Sequence, residues 1–129
     1  MKIYVSAVAN SLDAKVDPRF GRCPYFLVVD SETMQFEAVP NMASGAMGGA
    51  GIQAAQTIAG KGVKVLITGS IGPNAFQALS ATGIKIMTGA SGTVREVVEK
   101  YKKGELKETS APTVHGHFGM GRGRGRNVQ

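Results

Sequence analysis

The stretch "VKVLITGSIGPNAFQALSATGIKIM" (residues 63–87) decides the fold. Its opening run "VKVLI" (residues 63–67) is apolar, rich in valine and isoleucine and of strand length, which reads as a strand buried in a sheet. Residues 74–81 suit a short helix, with Pro73 placed in its first turn, and "IKIM" (residues 84–87) reads as a second strand. A strand, a helix and a strand in series imply parallel strands joined by a right-handed crossover.

The pattern extends in both directions from this unit. A helix over residues 50–59 precedes it, making a second strand-helix-strand unit. Earlier still, "YFLVVD" (residues 25–30), "SETM" and "QFEAV" (residues 35–39) read as an antiparallel hairpin, and "KIYVSAV" (residues 2–8) as a buried strand. Downstream, Thr93 and Glu96 have the spacing of a capping box. Val94, Val97, Val98 and Tyr101 then fall at i, i+3, i+4 and i+7, and Gly104 is placed to stop the helix. The expected architecture is a single α/β domain with a mixed five-stranded sheet and flanking helices, over residues 1–108. The remainder, residues 109–129, reads as a Gly/Arg/His tail. Its "HGHFGMGRGRGRNVQ" buries too little apolar surface to offset its ordering entropy, so disorder is expected there.

Composition narrows the function classes. A chain of 129 residues with 43% hydrophobic content suits one closed core. No run approaches the roughly 18 apolar residues of a membrane span, and the start alternates with polar residues where a signal peptide carries an apolar block; a cytoplasmic, non-membrane protein is expected. The single cysteine, Cys23, excludes an internal disulfide and a four-thiolate cage built by this chain alone. Any metal therefore arrives preassembled or uses other ligands. Of the net charge of +6, three arginines (Arg122, Arg124 and Arg126) lie in the tail. Between Glu37 and Glu96 there is no acidic residue, whereas Lys61, Lys64, Lys85 and Arg95 fall in that interval. The middle of the chain does not repel anions.

Three glycine-rich turns precede predicted helices. "MASGAMGGAG" (residues 42–51) runs into the first, and within it "GAGIQA" (residues 49–54) matches the dinucleotide pattern G-x-G-x-x-A by letter. That match fails physically. About nine residues separate it from the preceding strand, and no acidic residue follows some 20 positions later to hold a ribose. The phosphate-loop pattern is also absent, because no lysine follows until Lys61. What survives is a set of glycines before a helix N-terminus, whose N–H groups and positive dipole end attract anions, or else a surface loop without a ligand. "TGSIGPNAF" (residues 68–76) and "TGASGTV" (residues 88–94) are the other two turns. In open α/β sheets such loops converge outside the carboxyl ends of the parallel strands, where ligands bind.

"DPRFGRCPYF" (residues 17–26) places Arg19, Arg22 and Cys23 within five residues before a strand. Two guanidiniums favour a neighbouring thiolate and any multiply charged anion. The plainer alternative makes Cys23 a half-buried packing residue and the arginines a solvated face.

Taken in order, "FGRCPYF", "GAGIQAAQ", "GVKVLITGSIGPNAF" and "GIKIMTGASGTVREVVEKYKKGEL" resemble the dinitrogenase iron-molybdenum cofactor biosynthesis family, of the NifX and NifB C-terminal domain type that includes the orange-protein branch. The resemblance covers about residues 1–107. It implies a ribonuclease H-like fold without nuclease activity and a non-catalytic carrier or scaffold. Its cargo would be a molybdenum-containing metal-sulfur cluster, either an iron-molybdenum cofactor precursor or a molybdenum-copper sulfide. Such a bulky anion needs N–H donors, basic side chains and apolar walls more than a thiolate cage. The positions that match are Arg19, Arg22 and Cys23 in the first segment, Gly48, Gly49 and Gly51 in the second, and Gly72 and Asn74 in the third. The partners expected are the cluster, the proteins that donate and receive it, and a second copy of the chain as a homodimer option.

Nuclease chemistry is opposed by the absence of clustered carboxylates on the first strand. His115 and His117, the two histidines of the chain, lie outside the matched region, so the resemblance assigns no histidine ligand. The Gly-Arg tail, with Phe118 as its one aromatic, makes a weak case for nucleic acid. The competing reading is a nucleotide- or phosphate-binding regulatory module, or a small enzyme, using the same glycine loops.

Overall fold

The computed structural model describes residues 1–41, 54, 55, 58 and 62–112. Five strands form one sheet: β1 (Lys2–Ala7), β2 (Tyr25–Asp30), β3 (Phe36–Pro40), β4 (Val65–Ile67) and β5 (Lys85–Met87), in the order β3-β2-β1-β4-β5. β2 lies antiparallel between β1 and β3, in a register that sets Tyr4 opposite Val28 and Val28 opposite Glu37. β4 and β5 add parallel to β1, with Ile3 opposite Val65 and Val65 opposite Lys85. The sheet is therefore mixed, as the hairpin and the strand-helix-strand reading require. Its order has one consequence that local patterns do not reveal: β4 pairs with β1 rather than with its predecessor β3. The carboxyl ends of β1, β4 and β5 thus lie side by side.

Period-two alternation sorts the core into two layers. Tyr4, Phe26, Leu66 and Ile86 face one side, against Phe20, Cys23, Ala54, Ala55, Ile58, Ala75 and Leu79. Ala75 and Leu79 belong to the Pro73–Ala81 helix, and Ala54, Ala55 and Ile58 have helical backbone. Ile3, Val5, Leu27, Val65, Ile67 and Met87 face the other side, against Val94, Val97 and Val98 of the Val94–Lys102 helix and against Leu12 and Val16. Helices thus cover both faces. β4 starts at Val65, two residues later than its apolar run suggests, because Gly62 is still in a left-handed turn (φ 73°).

The capping box forms as its spacing predicts. The Thr93 hydroxyl accepts the Glu96 N–H at 3.1 Å and a Glu96 carboxylate oxygen accepts the Thr93 N–H at 2.8 Å. The next donors are taken as well: Val94 N–H bonds the Ala14 carbonyl and Arg95 N–H the Leu12 carbonyl, each at 2.9 Å. Gly92 is required for this closure. Its φ is 105°, and a Cβ there would stand 2.6 Å from the Glu96 carboxylate. After Gly104 the chain returns along β5, where the Thr109 N–H bonds the Ile86 carbonyl at 2.6 Å.

One core group is costly. Tyr4 is fully buried and stacks on Phe26 with ring centroids 5.8 Å apart, yet its hydroxyl has no hydrogen-bond partner among the described residues. Burial, with the nearby Glu37 charge adding to it, pushes its pKa up to about 12. A buried hydroxyl without a partner costs about 1–3 kcal/mol. Tyr4→Phe keeps the stacked ring and removes that cost, so urea denaturation should show an unfolding free energy equal to or about 1 kcal/mol above that of the parent chain; a clear loss would mean that the hydroxyl is bonded in solution.

Candidate functional site

The turn after β4 and the segment carrying the arginines meet at the carboxyl ends of the parallel strands. Ser6, at the end of β1, anchors them. Its carbonyl accepts the Asp17 N–H at 2.9 Å, its hydroxyl donates to the Asp17 carbonyl at 2.7 Å, and the Ser6 and Thr68 hydroxyls lie 2.8 Å apart. Ser6, Asp17 and Thr68 are all buried. From there the two segments run together. Both the Ser70 N–H and hydroxyl donate to the Pro18 carbonyl, at 2.8 and 2.7 Å, and Arg19 pairs with Ser70 as an isolated parallel bridge. Gly69 makes the approach feasible: a Cβ there would fall 2.5 Å from Pro18 Cα.

The two arginines are placed differently. Arg19 is clamped by Asp17, whose carboxylate accepts its backbone N–H at 2.9 Å, its Nε–H at 3.1 Å and an Nη2–H at 3.0 Å. The Asp17 side chain is 1% exposed and the Arg19 side chain 64% exposed. Burial alone would raise the Asp17 pKa, but the hydrogen bonds and charge of Arg19 outweigh it and hold the carboxyl below the usual range. The sign follows from linkage. A depressed carboxylate contributes stability above its unfolded pKa of about 3.9, and that contribution is lost as pH falls through its folded value. Arg22 is exposed at the end of a 3-10 turn over Phe20–Arg22.

Cys23 is fully buried in the core beside Phe20 and Phe26. Burial, aided by the Asp17 charge, pushes its thiol up to about 12, against smaller opposing contributions from Asn41 and backbone N–H groups. The expectation that the arginines favour a Cys23 thiolate is thereby corrected. Arg19 is turned to Asp17, and the low-dielectric surroundings of the sulfur disfavour its charged form.

The helix N-termini also divide. The Val94–Lys102 helix has its first donors closed by the capping box and by residues 12–14, so the third glycine turn offers an anion nothing at its helix start. The Pro73–Ala81 helix is open: Gly72 is its N-cap and no side chain caps it. Pro73 carries no N–H, which leaves the Asn74 and Ala75 N–H groups without intrahelical partners. Gly72 and Asn74 therefore sit with Arg19 and Arg22 on the joined segments. Gly48, Gly49 and Gly51 lie outside the described residues.

Two residues of this site escape sequence reading. Asp17 lies outside the acid-free interval but is carried into the site by the backbone pairing of Ser6. Asn41 donates from Nδ2 to the carbonyls of Gly21 (3.1 Å) and Cys23 (2.8 Å), while its N–H bonds the Pro24 carbonyl. It thus ties the arginine segment to the end of β3. Only its position after a strand could have drawn attention to it. An open depression lined by Lys2, Val28, Asp30, Gln35, Phe36 and Glu37 lies at the opposite end of β1 and contains none of the sequence candidates. Among the described residues, no group of three or more His, Cys, Asp or Glu side chains could hold a metal ion, and no helix is long and apolar enough to cross a membrane.

A family model described as dinitrogenase iron-molybdenum cofactor matches residues 1–104. The chain belongs to this family. Among solved structures it resembles the apo orange protein of Desulfovibrio gigas, at 44% identity and a TM-score of 0.85, over 88% of this chain and 96% of that one. It also resembles a NifB-type protein from Thermotoga, at 34% identity and a TM-score of 0.75, over 88% and 97% of the two chains. An uncharacterised protein of Methanocaldococcus jannaschii is 29% identical over 112 residues, spanning 84% of this chain and 95% of that one.

Gly69→Ala tests the junction. The added methyl must displace Pro18, an overpacking cost of about 1–3 kcal/mol. Thermal unfolding should fall accordingly, and the Ser70 amide should exchange faster with solvent; unchanged protection at Ser70 would contradict the close approach.

Proposed function

We propose that this chain binds an anionic, preassembled metal-sulfur cluster as cargo and hands it on, with no turnover of its own. The observation that supports the reading is the junction of residues 17–23 with residues 68–74, where Arg19 pairs with Ser70 through the backbone shortly before an uncapped helix N-terminus at the carboxyl ends of parallel strands, and where Arg19 and Arg22 are both exposed. Oriented N–H donors and guanidiniums are the groups a bulky sulfide anion accepts hydrogen bonds from. The described residues fit such a cargo better than a bare metal ion, because the only cysteine is a buried thiol and no side-chain metal cage is formed among them. In this reading Arg22, Arg19, Gly72 and Asn74 face the cargo, Gly48, Gly49 and Gly51 supply a second wall, and Cys23 packs behind the arginine segment without ligating metal.

Membership of the family supports an iron-molybdenum cofactor role, and we propose a molybdenum-containing cluster, either a cofactor precursor or a molybdenum-copper sulfide. The same reading calls for a cytoplasmic protein that meets cluster donor and acceptor proteins. It also takes residues 112–129 to be dispensable for cargo binding. The strand order and orientations support the ribonuclease H-like assignment of the fold.

The test is anaerobic incubation with tetrathiomolybdate, alone and with copper(I), followed by desalting and metal analysis. The parent chain should retain molybdenum, Arg22→Ala should retain several-fold less at unchanged thermal stability, and deletion of residues 112–129 should leave retention unchanged. Loss of retention on tail deletion alone would move the site to His115 and His117. Clear thermal stabilisation by micromolar ATP or NAD would overturn the carrier reading.

A further inference from the structure

Arg19 is held by a buried carboxylate, and the way it is held assigns that carboxylate a task. Arg19 spends its Nε–H and one Nη2–H on the Asp17 carboxylate, with the backbone N–H of the same residue as a third bond. Because the carboxylate is buried and the guanidinium is largely exposed, the clamp fixes the direction of the guanidinium without covering it. A guanidinium has five N–H groups, so both Nη1–H bonds and the second Nη2–H remain for a ligand. The carboxylate also cancels the charge of the arginine it holds.

We infer that Asp17 is a positioning residue for the cargo: it presents Arg19 as a fixed, nearly charge-neutral hydrogen-bond donor. The inference rests on the carrier reading above. Asp17 itself never touches the anion. Its repulsion is offset by the guanidinium between them, and its carboxylate cannot swing away because Ser6 holds its backbone from both sides. Ser70 fixes the same segment from the opposite side through Pro18, which keeps the Arg19 backbone in place when the side-chain clamp is broken.

The sign of one substitution separates this from a purely electrostatic site. Asp17→Asn raises the net positive charge by one and keeps the side-chain shape. If charge alone held the anion, affinity would rise. If Asp17 positions Arg19, affinity falls, because the amide keeps one acceptor but turns N–H donors toward Nη2, so the planar two-oxygen clamp on the fork is lost. Arg19→Lys makes the same distinction from the other partner, since an ammonium keeps the charge but has no planar fork to be clamped.

Equilibrium dialysis of the full chain against tetrathiomolybdate under anaerobic conditions reads the outcome. Loss of a charge-assisted, oriented contact should weaken binding by about tenfold in Asp17→Asn and in Arg19→Lys. The backbone amide signals of Thr68 and Ser70 should stay in place, and the Arg19 Nε–H signal should broaden by solvent exchange in Asp17→Asn. Equal or tighter binding by Asp17→Asn, or parent-like binding by Arg19→Lys, overturns the positioning role while leaving the carrier reading standing. Absence of binding by the parent chain overturns both. Should Asp17→Asn not fold, Arg19→Lys, an exposed substitution, decides the question alone.

Discussion

The Asp17 carboxylate, buried at the carboxyl ends of β1 and β4 and held by Arg19, is the constraint on which the site depends. A buried charge without a partner would cost several kcal/mol, so the chain that contains it must arrive there with its arginine. Ser6 brings it in by backbone pairing, Pro18 then packs into the space left by the missing side chain at Gly69, and Ser70 closes the contact. None of these residues carries chemistry alone. Together they convert two separate loops into one surface, with the guanidiniums and the uncapped start of the Pro73–Ala81 helix on it.

Much of this was legible where the signal is local. The Thr93 capping box and the apolar stripe of Val94, Val97 and Val98 depend on residues within two turns, and both form as their spacing predicts. The hairpin of β2 and β3 was equally readable. The strand order was not, because β4 pairs with β1 across more than 30 intervening residues, and apolar runs identify strands without naming their neighbours.

The site shows the same division. That two arginines precede β2 and that several glycine turns fall in an acid-free interval are properties of the string. That a buried carboxylate holds Arg19 is a property of the fold, since Asp17 is fixed there by its backbone pairing with Ser6 at the end of β1. The three glycine turns looked equivalent, yet one serves a helix whose first donors are all consumed and another an open one. Cys23 follows two arginines in the string and reads there as either a favoured thiolate or a half-buried packing residue, whereas the fold sets its sulfur fully in the core among Phe20 and Phe26. Asn41 gave no sign of its role because its partners are backbone carbonyls some 20 residues away.

The central claim is that the joined loops at the carboxyl ends of β1 and β4 receive the anion. Backbone amide chemical shifts of the isotope-labelled chain, followed during anaerobic titration with tetrathiomolybdate, test it most directly. The account expects saturable shifts confined to residues 19–22, Asn41, residues 48–51 and residues 69–75, with Lys2, Phe36 and Glu37 unmoved. Shifts centred on residues 113–129, or on the depression around Phe36, would contradict it.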